Sequence, residues 1–385
     1  MRIGIHAAGL LPYRTGRECY VQALLGELAR LDRENEYDIL VSPANRHLFE
    51  RPESNFHLVE MRLPRLPSRR LWENAYLRFA AQARRLDLIH LVESPLPFYQ
   101  PTKALATVHD ILPVLYPEHF PLKGRAYYQN ALFTGTKRLR SIITVSERTK
   151  RDLVVRLQLE PRRIHVTYPG VEPRFAPITD QQLLADVRRK YRLPESFILY
   201  VGTLEPRKNV GRLLSVFRRL REKGLNQSLV LAGGKGWLCD DVLDAAKQMA
   251  GSVRLTGFVA DEDLPALYNA ADMFVFPSLY EGFGTPPLEA MACGLPVVCS
   301  NRASLPEVVG DAALSVDPED GEAFGDAIWE LAHDESLRQR LREAGLARAR
   351  LFSWERTARG TLAQYDELLH GRSTVREEEE AADAA

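Results

Sequence analysis

The sequence predicts an α/β protein built on two doubly wound parallel sheets, and three observations carry that prediction. Short apolar runs of the kind that form strands buried on both faces recur along the chain. Helical patterns separate them, as a parallel sheet with crossover helices requires. The alternation runs twice, on either side of Pro169 to Pro177, where three prolines and a glycine in nine residues interrupt regular structure and mark an interdomain hinge.

In the first half the candidate strands are RIGIHA from Arg2, YDILVS from Tyr37, DLIHLV from Asp87, ALATV from Ala104, SIITVS from Ser141 and IHVTY from Ile164. Arg17 to Leu31 and Gly124 to Arg138 are the clearest helical patterns between them. The second half restarts with FILYVG at 197–202, LVLAGG from Leu229, VRLTG from Val253, MFVFP from Met273 and LPVVCS from Leu295. Helices at about 210–222, 286–293, 320–333 and 335–350 fill the gaps. The expected domains are therefore 1–172 and 173–353, followed by a helical pattern in FSWERTARGTLAQYDELL. Past that helix, 371–385 ends in EEEEAADAA, acidic and low in complexity, which reads as a disordered solvated tail.

At 385 residues the chain can hold two or three domains and a large core. Its formal net charge is zero, so it carries no global nucleic-acid signature. The balance hides an asymmetry: through Pro173 there are 26 Lys and Arg against 18 Asp and Glu, and beyond it 25 against 33. Cys19, Cys239, Cys293 and Cys299 have no metal-binding or C-x-x-C spacing and fit a reducing cytoplasm. The chain runs straight into a strand pattern with no secretory signal, and no apolar run approaches a membrane span.

The most informative segment is EGFGTPPLEAMACG, in which Glu281 and Glu289 stand eight positions apart across a glycine-broken loop that turns into a helix. MFVFP precedes it as a buried strand, Thr285 is placed to cap the helix, and Pro286 suits its first position. Free N–H groups at a helix start favour phosphate, and ligands of α/β sheets bind at the carboxyl ends of strands. Gly282 and Gly284 let backbone come close to a ligand, and carboxylates accept from hydroxyl groups. A nucleotide sugar suits such a site; the plain alternative is a strand–loop–helix turn with one exposed and one capping glutamate. Arg207 and Lys208 precede Asn209, read as a helix cap. Cations are unfavourable at that end of a helix dipole, so the pair implies a compensating anion, unless it is a solvated surface pair. His109 follows ALATV at the carboxyl end of its strand. A single loop histidine is more often structural than catalytic. Asp110 beside it orients that loop or the ring. Asp261-Glu262-Asp263 matches a cation-binding D-x-D, but in ADEDLPALYNAAD it reads as a helix start capped by Asp261, so no metal is expected.

With VHD at 108–110, VGTLEPRKN at 201–209, LAGGKG at 231–236 and LTGFV at 255–259, the segment resembles the E-x7-E motif of retaining glycosyltransferases of family 4. The resemblance runs from MRIGIHAAG to about Tyr365. It implies the GT-B fold: two Rossmann-like domains facing across a cleft, the first on the acceptor side and the second holding the nucleotide sugar. A helix over about 354–370 crosses back to complete the first domain. It implies that Arg207 and Lys208 hold the donor diphosphate, that His109 contacts the donor sugar, and that Glu281 acts through the sugar while Glu289 takes the ribose hydroxyls. Gly202 and Gly233 fall at turns beside the nucleotide, Phe258 and Val259 at the base, and Ser278, Phe283 and Thr285 near the sugar or phosphate. Gly16 stands where many members have a glycine pair; here only Thr15-Gly16 occupies the place.

The reaction so implied moves a hexose from a GDP- or UDP-linked donor to a saccharide or lipid-linked saccharide acceptor, with no cofactor and no metal. VHDILPVLYPEHF is similar to bacterial members that build O-antigens and exopolysaccharides, which makes mannose the first expectation. An epimerase or phosphorylase on the same fold, or a non-catalytic nucleotide-sugar-binding relative, is the alternative. No G-x-G-x-x-G or G-x4-G-K-[ST] occurs, which argues against an NAD-dependent oxidoreductase and a P-loop enzyme. RLPRLPSRRLWENAYLRFAAQARR interleaves Arg62, Arg65, Arg69, Arg70, Arg78, Arg84 and Arg85 with aromatic and leucine residues. Peripheral docking on an anionic membrane face is expected from it, against the alternative of an ordinary amphipathic helix.

Overall fold

The structure, a computed structural model, describes residues 1–51, 53–62, 69–92, 102–119 and 122–371. The expected acidic tail, Arg65 and Leu66 fall outside them. The chain forms two compact units: one comprises Met1–Gly170 and the chain from Ser353, the other Val171–Phe352.

The first unit is one parallel sheet of β1 (Arg2–His6), β2 (Glu36–Val41), β3 (Phe56–Glu60), β4 (Leu88–Leu91), β5 (Lys103–Val108), β6 (Ser141–Thr144) and β7 (Ile164–Val166). The spatial order is β3-β2-β1-β4-β5-β6-β7, so the winding reverses between β1 and β4. Ile5, Leu40, Ile89, Ala106 and Ile142 are fully buried, as continuous apolar strands covered on both faces should be. β3 escapes sequence reading because FHLVE is an edge strand, buried only at Phe56 and partly exposed beyond it. Helix Trp354–His370 packs on helix Gly16–Leu31 and on β5 and β6. Ser353 caps it, accepting from the Arg356 N–H. Polar bonds help to fasten it. Tyr365 Oη lies 2.7 Å from His90 Nδ1, Ser141 Oγ donates to Gln364 at 3.0 Å, and Thr357 Oγ1 donates to the Tyr168 carbonyl at 2.6 Å. His90 is wholly buried, and burial depresses its pKa to about 3, so the imidazole is a neutral link.

The second unit has the parallel order β10-β9-β8-β11-β12-β13. These are β8 (Phe197–Val201), β9 (Ser228–Ala232), β10 (Val253–Gly257), β11 (Met273–Phe276), β12 (Val297–Ser300) and β13 (Leu314–Val316). β13 is a three-residue edge strand, too short to stand out as an apolar run. Helix Gln181–Tyr191 was also not expected; Asp180 caps it, accepting from Gln182 and Leu183 N–H groups. The winding reverses between β8 and β11, which puts the crevice of this sheet at their carboxyl ends. Arg207-Lys208 follows β8 and Glu281 follows β11.

Candidate active site

The loop after β8 closes as a 3-10 turn, Pro206–Lys208, and helix Val210–Lys223 follows it. Asn209 links them in the left-handed region, φ 57°, and its side chain does not cap the helix; its Nδ2 donates instead to the Pro318 carbonyl at 2.9 Å. The loop after β11 is stitched onto this turn. Leu279 N–H donates to the Arg207 carbonyl at 2.8 Å, and Arg207 Nη1 donates to the Tyr280 carbonyl at 3.0 Å.

The two loops bring their charges together. Lys208 Nζ donates to Glu281 Oε1 at 2.6 Å, and Arg207 Nη1 donates to Glu281 Oε2 at 2.7 Å. Ser278 Oγ donates to the same carboxylate at 2.6 Å. The anion expected opposite Arg207 and Lys208 is thus supplied here by the protein, and Ser278 is turned onto Glu281. Burial works against the charged Glu281 carboxyl, but Arg207 and Lys208 outweigh it and hold the pKa down to about 2. Lys208 is itself lowered, by burial and by the neighbouring Arg207 charge. Its ammonium lies 4.8 Å from the Phe276 ring centroid, a second place for the charge to rest.

Helix Thr285–Ala292 begins one residue earlier than expected. Gly284, with φ 116°, occupies the cap position, and no side chain caps the helix, so Thr285 is its first residue and not the cap. A Cβ on Gly284 would stand 2.6 Å from Leu305 Cδ2 in addition to the strained φ, which explains the glycine without any ligand. Glu289 lies one turn into this helix, half-buried, and accepts from Tyr268 Oη at 2.8 Å. Burial pushes its carboxyl up to about 8, so it stands apart from Glu281 in protonation. Phe283 is buried with its ring 5.7 Å from Phe352. Gly282 is half-buried between Glu281 and Phe283, whose carbonyls both face Ser304 Oγ, at 2.9 and 2.5 Å.

Gly202 and Gly233 end β8 and β9 where the two backbones nearly touch. A Cβ on Gly233 would come within 2.1 Å of the Gly202 carbonyl oxygen, so close strand packing by itself demands this glycine. Phe258, after β10, is 65 % exposed while Val259 is buried. Asp261-Glu262-Asp263 forms a 3-10 turn before helix Leu264–Ala270, but the expected cap does not form: the N-cap position falls to Asp263, without a side-chain cap. Asp261 pairs with Arg174 at 2.8 Å, and Asp263 with Lys190 and Tyr191, each at 2.6 Å. These carboxylates are engaged by Arg174, Lys190 and Tyr191.

In the first unit, His109 follows β5 and packs edge-on against Tyr20 at 4.8 Å, and Tyr20 against Trp354 at 5.5 Å. Its Nε2 lies 3.3 Å from the Val92 carbonyl. Burial and the Arg17 charge lower its pKa to about 4, leaving a neutral imidazole at physiological pH. Asp110 orients the loop: its Oδ1 accepts from the Leu112 N–H at 2.9 Å, at the start of helix Leu112–Leu115. Gly16 opens helix Gly16–Leu31, and a Cβ there would meet open space. Just before it Thr15 donates to the buried Glu18 carboxylate, which also accepts from Leu11 N–H at 2.8 Å.

Sequence reasoning missed Glu205, Ser304 and Tyr268. Glu205 Oε1 stands 2.6 Å from Arg207 Nε with its side chain 3 % exposed. Its place inside VGTLEPRKN was the available signal. Ser304 and Tyr268 lie far from the motifs in sequence and carry no local signature.

A family model described as Glycosyltransferase Family 4 matches residues 15–175, and one described as Glycosyl transferases group 1 matches 186–348. The O-antigen chain mannosyltransferase B of Escherichia coli is 40 % identical over 276 residues, 70 % of this chain and 72 % of that one. The chain belongs to glycosyltransferase family 4. The serotype-specific mannosyltransferase WbdA of Escherichia coli is 32 % identical over 280 residues, 70 % of this chain but 34 % of that much longer protein. Among solved structures, sucrose-phosphate synthase from Thermosynechococcus elongatus has a TM-score of 0.78 at 22 % identity, covering 96 % of this chain and 100 % of that one. Anabaena HepE in complex with UDP-glucose has a TM-score of 0.76 at 17 % identity, covering 95 % and 100 %. At such identities the likeness concerns the fold, which is GT-B. This family 4 protein is a glycosyltransferase, and among its described residues no helix is long and apolar enough to cross a membrane.

Proposed function

We propose that the enzyme is a retaining hexosyltransferase that moves mannose from a nucleoside diphosphate sugar, GDP- or UDP-linked, to a saccharide or lipid-linked saccharide during cell-surface polysaccharide synthesis. The observation that carries the reading is the convergence of Arg207, Lys208 and Glu281 at the carboxyl ends of β8 and β11, where the second sheet reverses its winding. The mannosyltransferases it resembles support the choice of sugar.

In this reading the diphosphate lies on Arg207 and Lys208, which stabilise charge as the bond from C1 to the phosphate oxygen breaks. The acceptor oxygen attacks C1 on the same face, and the leaving phosphate takes the acceptor proton. Two fixed cations do the work a divalent metal does elsewhere. Glu281 accepts from the sugar hydroxyls and Glu289 from the ribose. Phe258 and Val259 line the base, and the family resemblance assigns Gly16 and neutral His109 to the sugar.

A thermal-shift panel of UDP, GDP, ADP and TDP with their sugars tests this. A ligand at a hundred times its dissociation constant stabilises by about 2.7 kcal/mol. GDP or UDP should raise the melting temperature; a flat response to every nucleotide would remove the reading.

Docking of the first unit on an anionic membrane is a second part of the proposal. Phe79, 66 % exposed on helix Arg69–Ala83 beside exposed Arg78, supports it. The patch is smaller than its arginine count suggested. Arg84 makes two bonds to buried Asp38, at 2.7 and 3.0 Å, and Arg62 is paired with Glu60 at 2.6 Å.

A further inference from the structure

Arg207 and Lys208 both face carboxylates of the protein itself. Arg207 has Glu205 2.6 Å from Nε, an ion pair without hydrogen-bond geometry at that atom, and Glu281 at 2.7 Å on Nη1, and Lys208 has Glu281 at 2.6 Å. Two carboxylates face two cations, and all four residues lie within 3–19 % side-chain exposure. In so sheltered a place, unit charges a few ångströms apart interact far more strongly than in water. A diphosphate entering here does not meet two free cations. It competes with carboxylates for them.

We propose that Glu205 and Glu281 are internal competitors of the nucleoside diphosphate for Arg207 and Lys208, and that they speed release of the spent nucleotide after transfer. The inference rests on the diphosphate site proposed above and adds Glu205 to it. With an intact donor bound, Glu281 exchanges its cations for sugar hydroxyls, so the competition is relieved. Once the sugar has left, Glu281 has no hydroxyl partner and returns to Lys208 and Arg207, weakening their hold on the diphosphate. Glu205 cannot follow the sugar, because it lies on the other side of the guanidinium, at the residue preceding Pro206. It lowers affinity for the diphosphate at every stage, and its charge beside Nε acts through Arg207, whose Nη1 is turned to the Glu281 loop by the Tyr280 carbonyl and Glu281. Glu205 is thus a positioning residue.

The sign of the effect makes it testable. Ordinarily, removing a charged group from a binding site weakens binding; here removal of either carboxylate should strengthen it. Calorimetric titration of GDP and UDP into the full chain is compared for wild type, Glu205→Gln, Glu281→Gln, Glu205→Asp, Arg207→Ala and Lys208→Ala. For whichever nucleotide binds, Glu205→Gln and Glu281→Gln should each tighten binding by roughly tenfold, the scale of removing one like charge near the phosphates. Glu205→Asp, which keeps the charge, should stay within about twofold to threefold of wild type, a difference well under 1 kcal/mol. In turnover assays Glu205→Gln should show stronger product inhibition and a lower kcat with an unraised KM. Unchanged or weaker nucleotide binding in both Gln variants, while Arg207→Ala and Lys208→Ala bind worse, would overturn the competition and leave the diphosphate site standing. Unchanged binding in the two alanine variants would overturn the site itself. Since Glu281→Gln carries the same predicted sign, a Glu205→Gln protein that does not fold still leaves a decisive variant.

Discussion

Lys208→Ala separates catalysis from stability at the centre of the site. Lys208 is 6 % exposed and its ammonium is held by Glu281. Removing one partner of a buried pair costs about 3–5 kcal/mol when the other charge is left alone. Glu281 is not left alone, because Arg207 at 2.7 Å and Ser278 at 2.6 Å still hold it. The loss should therefore fall below ~3 kcal/mol, which for a unit of this size is a drop of less than about 12 °C in Tm. Loss of one preorganised group facing a developing charge costs on the order of 10²–10³ in kcat. The assay is release of nucleoside diphosphate in the presence of acceptor, at a temperature where circular dichroism shows variant and wild type equally folded. A folded variant with wild-type kcat would refute the role given to Lys208. A rate loss that merely followed the unfolded fraction would do the same.

Other expectations follow from single contacts. Glu289, with a carboxyl near 8 in the folded protein against 4.5 ordinarily, is protonated in the native state and charged in the unfolded one between those values. Its contribution to stability is complete below pH 4.5 and lost as pH rises through about 8; urea titrations should show Glu289→Gln flattening that decline and weakening nucleotide binding. Tyr365→Phe removes the partner of buried His90 Nδ1 and should cost about 1–3 kcal/mol in urea unfolding of the first unit, whereas no change would deny the link a structural role. In liposome sedimentation, binding should need anionic lipid, fade with salt and weaken in an Arg69→Gln, Arg70→Gln, Arg85→Gln variant. Arg84 is left intact there because its loss would orphan Asp38, and equal recovery with neutral and anionic vesicles would end the membrane proposal.

The fold was legible where physics acts locally. Buried parallel strands such as FILYV and MFVF announce themselves as apolar runs, and the break between the halves as prolines. β3 and β13 were hidden because edge strands are short or half-exposed and lose that signature. Within the site, EGFGTPPLE and EPRKN identified the charged groups, but not their pairing. That Glu281 pairs with both Arg207 and Lys208 is a contact across more than seventy residues, made by the meeting of the β8 and β11 loops. Caps failed for a related reason: Asp261 and Asn209 have the right residue types, yet Arg174 and the Pro318 carbonyl offered partners that no local window contains.

The most direct test of the central claim is transfer itself, followed by NMR at the anomeric centre. The purified chain is incubated with GDP-mannose, or with the UDP-sugar that binds best, and a mannose-terminated oligosaccharide, without divalent metal and with chelator present. The account predicts a lengthened saccharide whose new linkage keeps the α configuration of the donor. A β linkage would contradict retention, and donor binding with no transfer to any saccharide would contradict the assignment of the reaction.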